Sequence, residues 1–252
     1  MSSPTVLVTG ATGFVGRRLV PVLVGRGLDV RAMTRRPEAY DGPGTPVGAD
    51  VGDSASLAAA LEGVDVAVYL VHALDHDDFE ERDAAAAVAF GTVAAEAGVR
   101  QIVYLGGLGA DDDELSPHLR SRREVEGLLG IGGVPVTVLR AAIVVGHGGI
   151  SWELTRQLVK NLPAMIVPKW TATRTQPIAL DDVVRYLAGV VDHEDAIGQT
   201  FEIGGPDAMT YRDMLEVAAE ETLEMAGVVL AIGAVLDYLR LVAPDYRVAF
   251  TA

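Results

Sequence analysis

The chain has 252 residues, a formal net charge of −15 and no cysteine, and half of its residues are hydrophobic but only 6% aromatic. That length suits one large domain, or a domain with a small appendage, around a substantial aliphatic core. The acidity argues against nucleic-acid or anionic-membrane partners, which need a basic surface, and the missing cysteine excludes disulfides, thiolate metal sites and a cysteine nucleophile.

Thr5–Val8 reads as the first strand. No basic segment with an apolar stretch precedes it, so no signal peptide is expected and the expected location is cytoplasmic. The strand runs into Gly10-Ala11-Thr12-Gly13-Phe14-Val15-Gly16 and a helix over about Phe14–Gly25. Gly10 permits the tight turn, Gly13 lets the backbone approach a pyrophosphate, and Gly16 lets the helix pack close to the sheet. The helix start offers unpaired N–H groups and a partial positive charge to phosphates. The triplet takes its meaning from its context, a strand-helix-strand unit that closes at Asp29–Met33. Gly10, Thr12, Gly13, Phe14, Val15 and Gly16 are therefore candidate dinucleotide contacts.

Further along, Thr45–Val47 reads as a short strand, Ser54–Leu61 as a helix and Val64–Val71 as a buried strand. Ala84–Ala97 is alanine-rich and helical, closed by Gly98. Gln101–Leu105 is a strand, Pro117–Leu129 a charged helix and Val136–Arg140 a sixth strand. The alternation implies an α/β fold, a doubly wound parallel sheet over residues 1–145.

From 146 to 252 the rhythm changes, as in a small C-terminal substrate-side subdomain interleaved with the same domain. Ser151–Leu162 reads as a helix, after which Pro163, Pro168 and Pro177 interrupt regular structure. Arg174–Val184 reads as strand-turn-helix with Asp181 as N-cap, and Thr200–Gly204 as a late strand. Thr210-Tyr211-Arg212-Asp213 opens another helix with a capping-box spacing. Met225–Leu236 is apolar throughout, but twelve residues are too few to span a bilayer, so no transmembrane segment is expected. It reads as a core helix or as a contact with a second copy or a larger complex; a membrane-surface helix lacks basic flanks here.

In NAD-binding versions of such a sheet, an acid at the end of the second strand holds the adenosine ribose. Here the segment Val30-Arg31-Ala32-Met33-Thr34-Arg35-Arg36-Pro37 has no acid and three arginines. Arg35 and Arg36 suit a 2′-phosphate, because a guanidinium gives bidentate, charge-assisted hydrogen bonds; the alternative is a pair of solvated arginines. NADP(H) is thus the favoured cofactor, with NAD(H) the alternative. The cluster is unusual against a background of two lysines (Lys160 and Lys169), eighteen arginines and twenty aspartates. That background fits a high-salt habitat or a GC-rich genome, and the salt reading is favoured.

The Gly-x-x-Gly-x-x-Gly spacing, with Thr9 before the first glycine, resembles the extended and atypical short-chain dehydrogenase/reductases over about residues 5–215. Tyr104-Leu105-Gly106-Gly107-Leu108-Gly109, then Ser116-Pro117-His118-Leu119-Arg120-Ser121-Arg122-Arg123-Glu124-Val125-Glu126, and Arg174-Thr175-Gln176-Pro177-Ile178 together resemble an atypical subgroup. That subgroup lies near the NmrA-like proteins and the NADPH-binding accessory subunit of respiratory complex I. The resemblance implies a Rossmann fold with Asp50 and Val51 near the adenine, and with Leu70 and Val71 lining the dinucleotide. It places His72 at the cofactor edge, where a core or ribose contact is favoured over catalysis. It also implies a serine after the fifth strand and a Tyr-x-x-x-Lys pair on the next helix. This chain departs there: glycine replaces the serine, and His118 and Arg122 hold the tyrosine and lysine spacing. They are the catalytic candidates, the alternative being a solvated helix face with the chemistry lost. Histidine transfers protons near neutral pH, whereas arginine does not readily lose its own. His76, His147 and His193 lack metal-like spacing, so no metal site is expected.

The leading functional reading is an NAD(P)H-dependent oxidoreductase for a carbonyl, enone or quinone-like small molecule, under an apolar roof containing Trp152, Met165 and Trp170. A non-catalytic NADP(H)-binding sensor or accessory subunit is the alternative, and a sugar-nucleotide epimerase or dehydratase comes third.

Overall fold

The computed structural model describes residues 3–72, 78–109, 116–149 and 169–223. The expected helices Ser151–Leu162 and Met225–Leu236, with His76, Trp152 and Met165, lie outside the described residues. In chain order the elements are β1 Thr5–Val8, α1 Gly16–Gly25, β2 Asp29–Thr34, β3 Thr45–Gly48, α2 Ser54–Leu61, β4 Val66–Tyr69, α3 Phe79–Glu96, β5 Gln101–Gly107, α4 Pro117–Leu129 and β6 Val136–Ala141. They continue with β7 Val144–Val145, β8 Arg174–Thr175, β9 Ile178–Ala179, α5 Leu180–Val190, β10 Thr200–Ile203, β11 Met209–Thr210 and α6 Tyr211–Leu223.

Seven strands form one parallel sheet in the order β3-β2-β1-β4-β5-β6-β10. Sequence order reverses between β1 and β4, the place where doubly wound sheets open a crevice beyond the carboxyl ends of their strands. The period-2 alternation of strands assigns side chains to two cores. Val6, Val8, Val30, Val66 and Val68 pack with α1 and α5 on one face. Leu7, Ala67, Tyr69, Ile102 and Tyr104 pack with α2, α3 and α4 on the other.

Where the boundaries differ from expectation, the physical reasons are local. α1 starts at Gly16 rather than Phe14, because the Gly13 N–H closes a turn on the Gly10 carbonyl at 2.9 Å and Val15 becomes the N-cap. α3 begins at Phe79, five residues earlier than the alanine run; Glu80 and Glu81 sit in its first turn, where the helix dipole favours acids. β4 stops at Tyr69, since the Leu70 N–H turns to the Thr9 hydroxyl. Asp181 is not the N-cap of α5: Ala179 holds that position, and Asp181 lies in the first turn. Gly98 adopts φ 78° beyond α3, and the Thr210–Asp213 box forms reciprocally, at 2.8 and 3.1 Å.

The chain divides into two compact units, residues 1–146 with 177–205, and residues 147–176 with 206–252. The first holds the seven-stranded sheet, and the second the β8–β11 pair and α6. Among the described residues no helix is long and apolar enough to cross a membrane.

Candidate functional site

The glycine turn, which follows β1, is tied to the ends of β4 and β2. The Thr9 N–H donates to the Val68 carbonyl at 2.9 Å, the Leu70 N–H donates to Thr9 Oγ1 at 2.9 Å, and the Ala11 N–H reaches the Met33 carbonyl at 3.3 Å. Gly10 has φ 61°, and a Cβ there would lie 3.1 Å from the Leu70 carbonyl oxygen, so both conformation and space require glycine. A Cβ on Gly16 would overlap the Gly10 carbonyl. Gly13 is different: a Cβ would meet only the Gly10 oxygen, at 3.0 Å, and otherwise open space. Among the described residues, the N–H groups of Thr12, Phe14 and Val15 have no partner. Free N–H groups around a glycine without a side chain make a cradle suited to a phosphate.

At the end of β2 the three arginines separate. Arg31 donates to the Ala60 and Glu62 carbonyls, at 3.1 and 2.6 Å, and so closes the C-terminal end of α2. Arg35 and Arg36 are exposed, and their guanidinium groups have no partner among the described residues. Asp50, also exposed, accepts the Gly52 N–H at 2.8 Å in the loop beyond β3. Val51 and Val71 are half-buried against the α2–α4 core, and Leu70 against the α1–α5 core. These positions lie beyond the carboxyl ends of β1–β4.

On the other side of the crevice, α4 carries the substituted pair. The Arg122 Nε–H donates to His118 Nε2 at 3.1 Å, and Nη1 donates to the Leu105 carbonyl at 3.2 Å. Burial first, then the Arg122 cation and His72, push the His118 pKa below the ordinary imidazole range against a smaller upward pull from Asp83. With Nε2 accepting, the neutral ring carries its proton on Nδ1. Gly106 and Gly107 lie in the stretch where the resemblance expects a serine; a Cβ on Gly107 would lie 2.6 Å from Leu119 Cδ2 and 3.2 Å from Arg122 Cδ, so a side chain there would have to displace those side-chain ends. Gly106 likewise leaves room for Glu126, whose Oε1 would be 2.7 Å from an added Cβ. Glu126 in turn binds Arg140 through both Nε and Nη2, the latter at 2.8 Å.

His72 follows β4, its Nδ1 3.5 Å from the carboxylate of Asp83 and its ring 6.0 Å from that of Tyr104. Burial is the main cause that lowers its pKa, opposed by the hydrogen bond to Asp83. Sequence reasoning missed Asp83, Thr9, Glu126 and Arg140. Asp83 ends the charged run Glu80-Glu81-Arg82-Asp83, and nothing in the sequence sets it apart from its solvated neighbours. His193, at the N-cap of a short 3-10 helix that precedes β10, stands away from the other candidates at the opposite end of the strands. Among the described residues no group of three or more His, Asp or Glu is placed to hold a metal.

A doubly wound parallel sheet with a glycine turn at its switch point defines a dinucleotide-binding Rossmann protein. Residues 10–152, more than half of the chain, match the NAD(P)H-binding family. The chain belongs to that family and is an atypical short-chain dehydrogenase/reductase. It is 35% identical over 221 residues to the (4-alkanoyl-5-oxo-2,5-dihydrofuran-3-yl)methyl phosphate reductase of Streptomyces griseus, a match covering 82% of this chain and 70% of the relative. It is 27% identical over 233 residues to the mitochondrial NADH dehydrogenase (ubiquinone) 1 alpha subcomplex subunit 9 of Arabidopsis thaliana, covering 83% of this chain and 56% of that protein. Among solved structures, MoeE5 in complex with UDP-glucose and NAD superposes with a TM-score of 0.71 at 24% identity, over 86% of this chain and 82% of that one, a likeness of fold.

Proposed function

We propose that the protein is an NADPH-dependent reductase of a carbonyl, enone or quinone-like small molecule. The observation that carries this reading is the set of groups gathered beyond the carboxyl ends of the strands. A glycine cradle lies at the β1/β4 switch point, with N–H groups that have no partner among the described residues; the Arg35 and Arg36 guanidiniums, likewise without a partner among them, lie on its β2 side, and an imidazole–guanidinium pair lies on its β5 side. In this reading Gly10–Gly16 hold the pyrophosphate, Arg35 and Arg36 hold the 2′-phosphate, and Asp50 and Val51 flank the adenine. Leu70, Val71 and His72 line the dinucleotide. The bound nicotinamide supplies the hydride, so the protein has chiefly to orient the substrate and handle one proton. His118 fits the second task, because a neutral imidazole donates a hydrogen bond to a carbonyl oxygen without carrying a full charge. Arg122 keeps its proton and takes the place of the lysine only as a fixed cation. The Streptomyces reductase, whose named substrate contains an unsaturated lactone, favours an activated enone as the acceptor class. The cytoplasm is the proposed location.

A screen of enones, quinones and simple carbonyls with NADPH tests the reading. His118→Phe is expected to lower kcat at least about a hundredfold, the scale of general acid–base assistance, with little change in NADPH affinity. An active enzyme indifferent to that change refutes the role of His118.

One observation favours a second reading. Glycine stands where the serine is expected and His118 and Arg122 hold the tyrosine and lysine spacing, and the Arabidopsis relative is named as a subunit of NADH dehydrogenase. NADPH binding without turnover of any acceptor selects a non-catalytic sensor or accessory subunit.

A further inference from the structure

Asp83 is 5% exposed on α3, in a helix whose next four residues are alanines. A carboxylate placed that deep is strongly unfavourable unless it is partnered. His72, which reaches α3 from the end of β4, supplies a partner: its Nδ1 lies 3.5 Å from Asp83 Oδ2. With Nδ1–H facing a carboxylate, the neutral ring leaves Nε2 unprotonated. The same state holds in His118, whose Nε2 accepts the Arg122 Nε–H at 3.1 Å. Arg122 is itself pinned by its bond to the Leu105 carbonyl, and Tyr104 spans the two halves. The Tyr104 ring is 6.0 Å from His72, and its hydroxyl donates to the Arg122 carbonyl at 3.4 Å.

We propose that Asp83 is a positioning residue for the proton-handling half of the site. It holds His72 by Nδ1 and, through His72 and Tyr104, links α3 to the His118–Arg122 pair on α4, so that the two imidazoles behave as one unit with both Nε2 atoms unprotonated. Among the described residues, the groups facing these rings are Asp83 from α3, Arg122 and His118 from α4, and Tyr104 from β5, with Glu126 and Tyr69 behind Tyr104. Burial depresses both imidazoles; the Arg122 cation adds to that at both rings, and the Asp83 carboxylate opposes it at both. Among the described residues, Asp83 and Arg122 thus act on both histidines with opposite signs, and His72 adds to the depression of His118. During reduction the acceptor carbon takes the hydride and its oxygen takes a proton. That proton comes from His118 Nδ1–H, since Nε2 is held by Arg122, and solvent returns a proton to Nδ1, so the ring is neutral before and after the step. The role in turnover rests on the reductase reading; the linkage itself does not.

The test is a histidine 15N NMR titration of the full chain without added cofactor, with His72→Gln and His118→Gln assigning the signals. Both rings are expected as Nδ1–H tautomers titrating below the ordinary 6.5. Asp83→Asn should lower the protonation constant of both rings, and Arg122→Gln should raise both, by at least about threefold. In turnover, Asp83→Asn should lower kcat with little change in KM for NADPH and move the acid limb of the pH profile to lower pH, with partial rescue by Asp83→Glu. Asp83→Asn moving one ring or neither, or Arg122→Gln leaving His118 unmoved, overturns the proposal. Coupled titrations in a protein that turns over no acceptor uphold the linkage and sink the reductase reading; turnover with uncoupled rings does the reverse.

Discussion

Replacing Arg35 and Arg36 by alanine should separate NADPH from NADH. Both side chains are exposed, and neither guanidinium is engaged among the described residues, so removing them breaks no internal hydrogen bond or ion pair. Folding stability should change by no more than about 0.5 kcal/mol, as for other surface positions. What is lost falls on the ligand. A charge-assisted hydrogen bond to a phosphate contributes about 1.5–3 kcal/mol, so each single variant should weaken NADPH about 10- to 150-fold. NADH, which has no 2′-phosphate, should bind the variants within about threefold of the parent. The opposed guanidinium and phosphate charges should also make the NADPH preference fall as salt rises from about 0.1 to 1 M, as the screening length contracts from about 10 to 3 Å. Titrations of nicotinamide fluorescence with both cofactors, for the parent and both variants, provide the measurement. Equal parent affinities for NADH and NADPH, or parallel losses of both in the variants, refute the assignment of the 2′-phosphate to this end of β2.

Gly13→Val should abolish cofactor binding in a chain that still folds, because its Cβ meets only the Gly10 oxygen, at 3.0 Å, and otherwise enters the open space of the cradle; near-normal affinity makes that glycine merely structural. Placing a serine in the glycine stretch at the end of β5 by Gly107→Ser should destabilise by about 1–3 kcal/mol in chemical denaturation, since the new Cβ meets Leu119 at 2.6 Å and crowds Arg122; a neutral or stabilising result contradicts that packing. If the charge of −15 reflects a high-salt habitat, Tm should climb steeply between low and molar salt as carboxylate repulsion is screened, and a flat Tm favours genome composition instead.

The parts of this protein legible in its sequence are those governed by neighbours a few residues apart. Ser54–Leu61 and Pro117–Leu129 form over the expected spans, begun by the Asp53 and Ser116 side chains that accept the Ala55 and Leu119 N–H groups. The glycine turn follows from the same local rules, since Gly10 needs a positive φ and Gly16 needs close approach. Strand-helix alternation yields the parallel sheet, and the Thr210–Asp213 box closes within four residues. Legibility weakened where local chemistry misleads: the charged start of α3 hid its first turn, and Asp181 offered a cap that the backbone places at Ala179.

Tertiary structure alone decided which distant side chains meet. Thr9 and Leu70 are 61 positions apart, and their bond forms only because β1 and β4 are neighbours at the switch point. Arg31 resembles Arg35 and Arg36 in the sequence, yet it is drawn away to the carbonyls at the end of α2, leaving the other two exposed at the strand end. Asp83 finds His72, and Glu126 finds Arg140 beneath Gly106, across separate layers of the fold. Caps and turns are fixed by hydrogen bonds that a short segment makes with itself. The charge state of a buried imidazole is set by whatever packing brings against it, which no local pattern encodes.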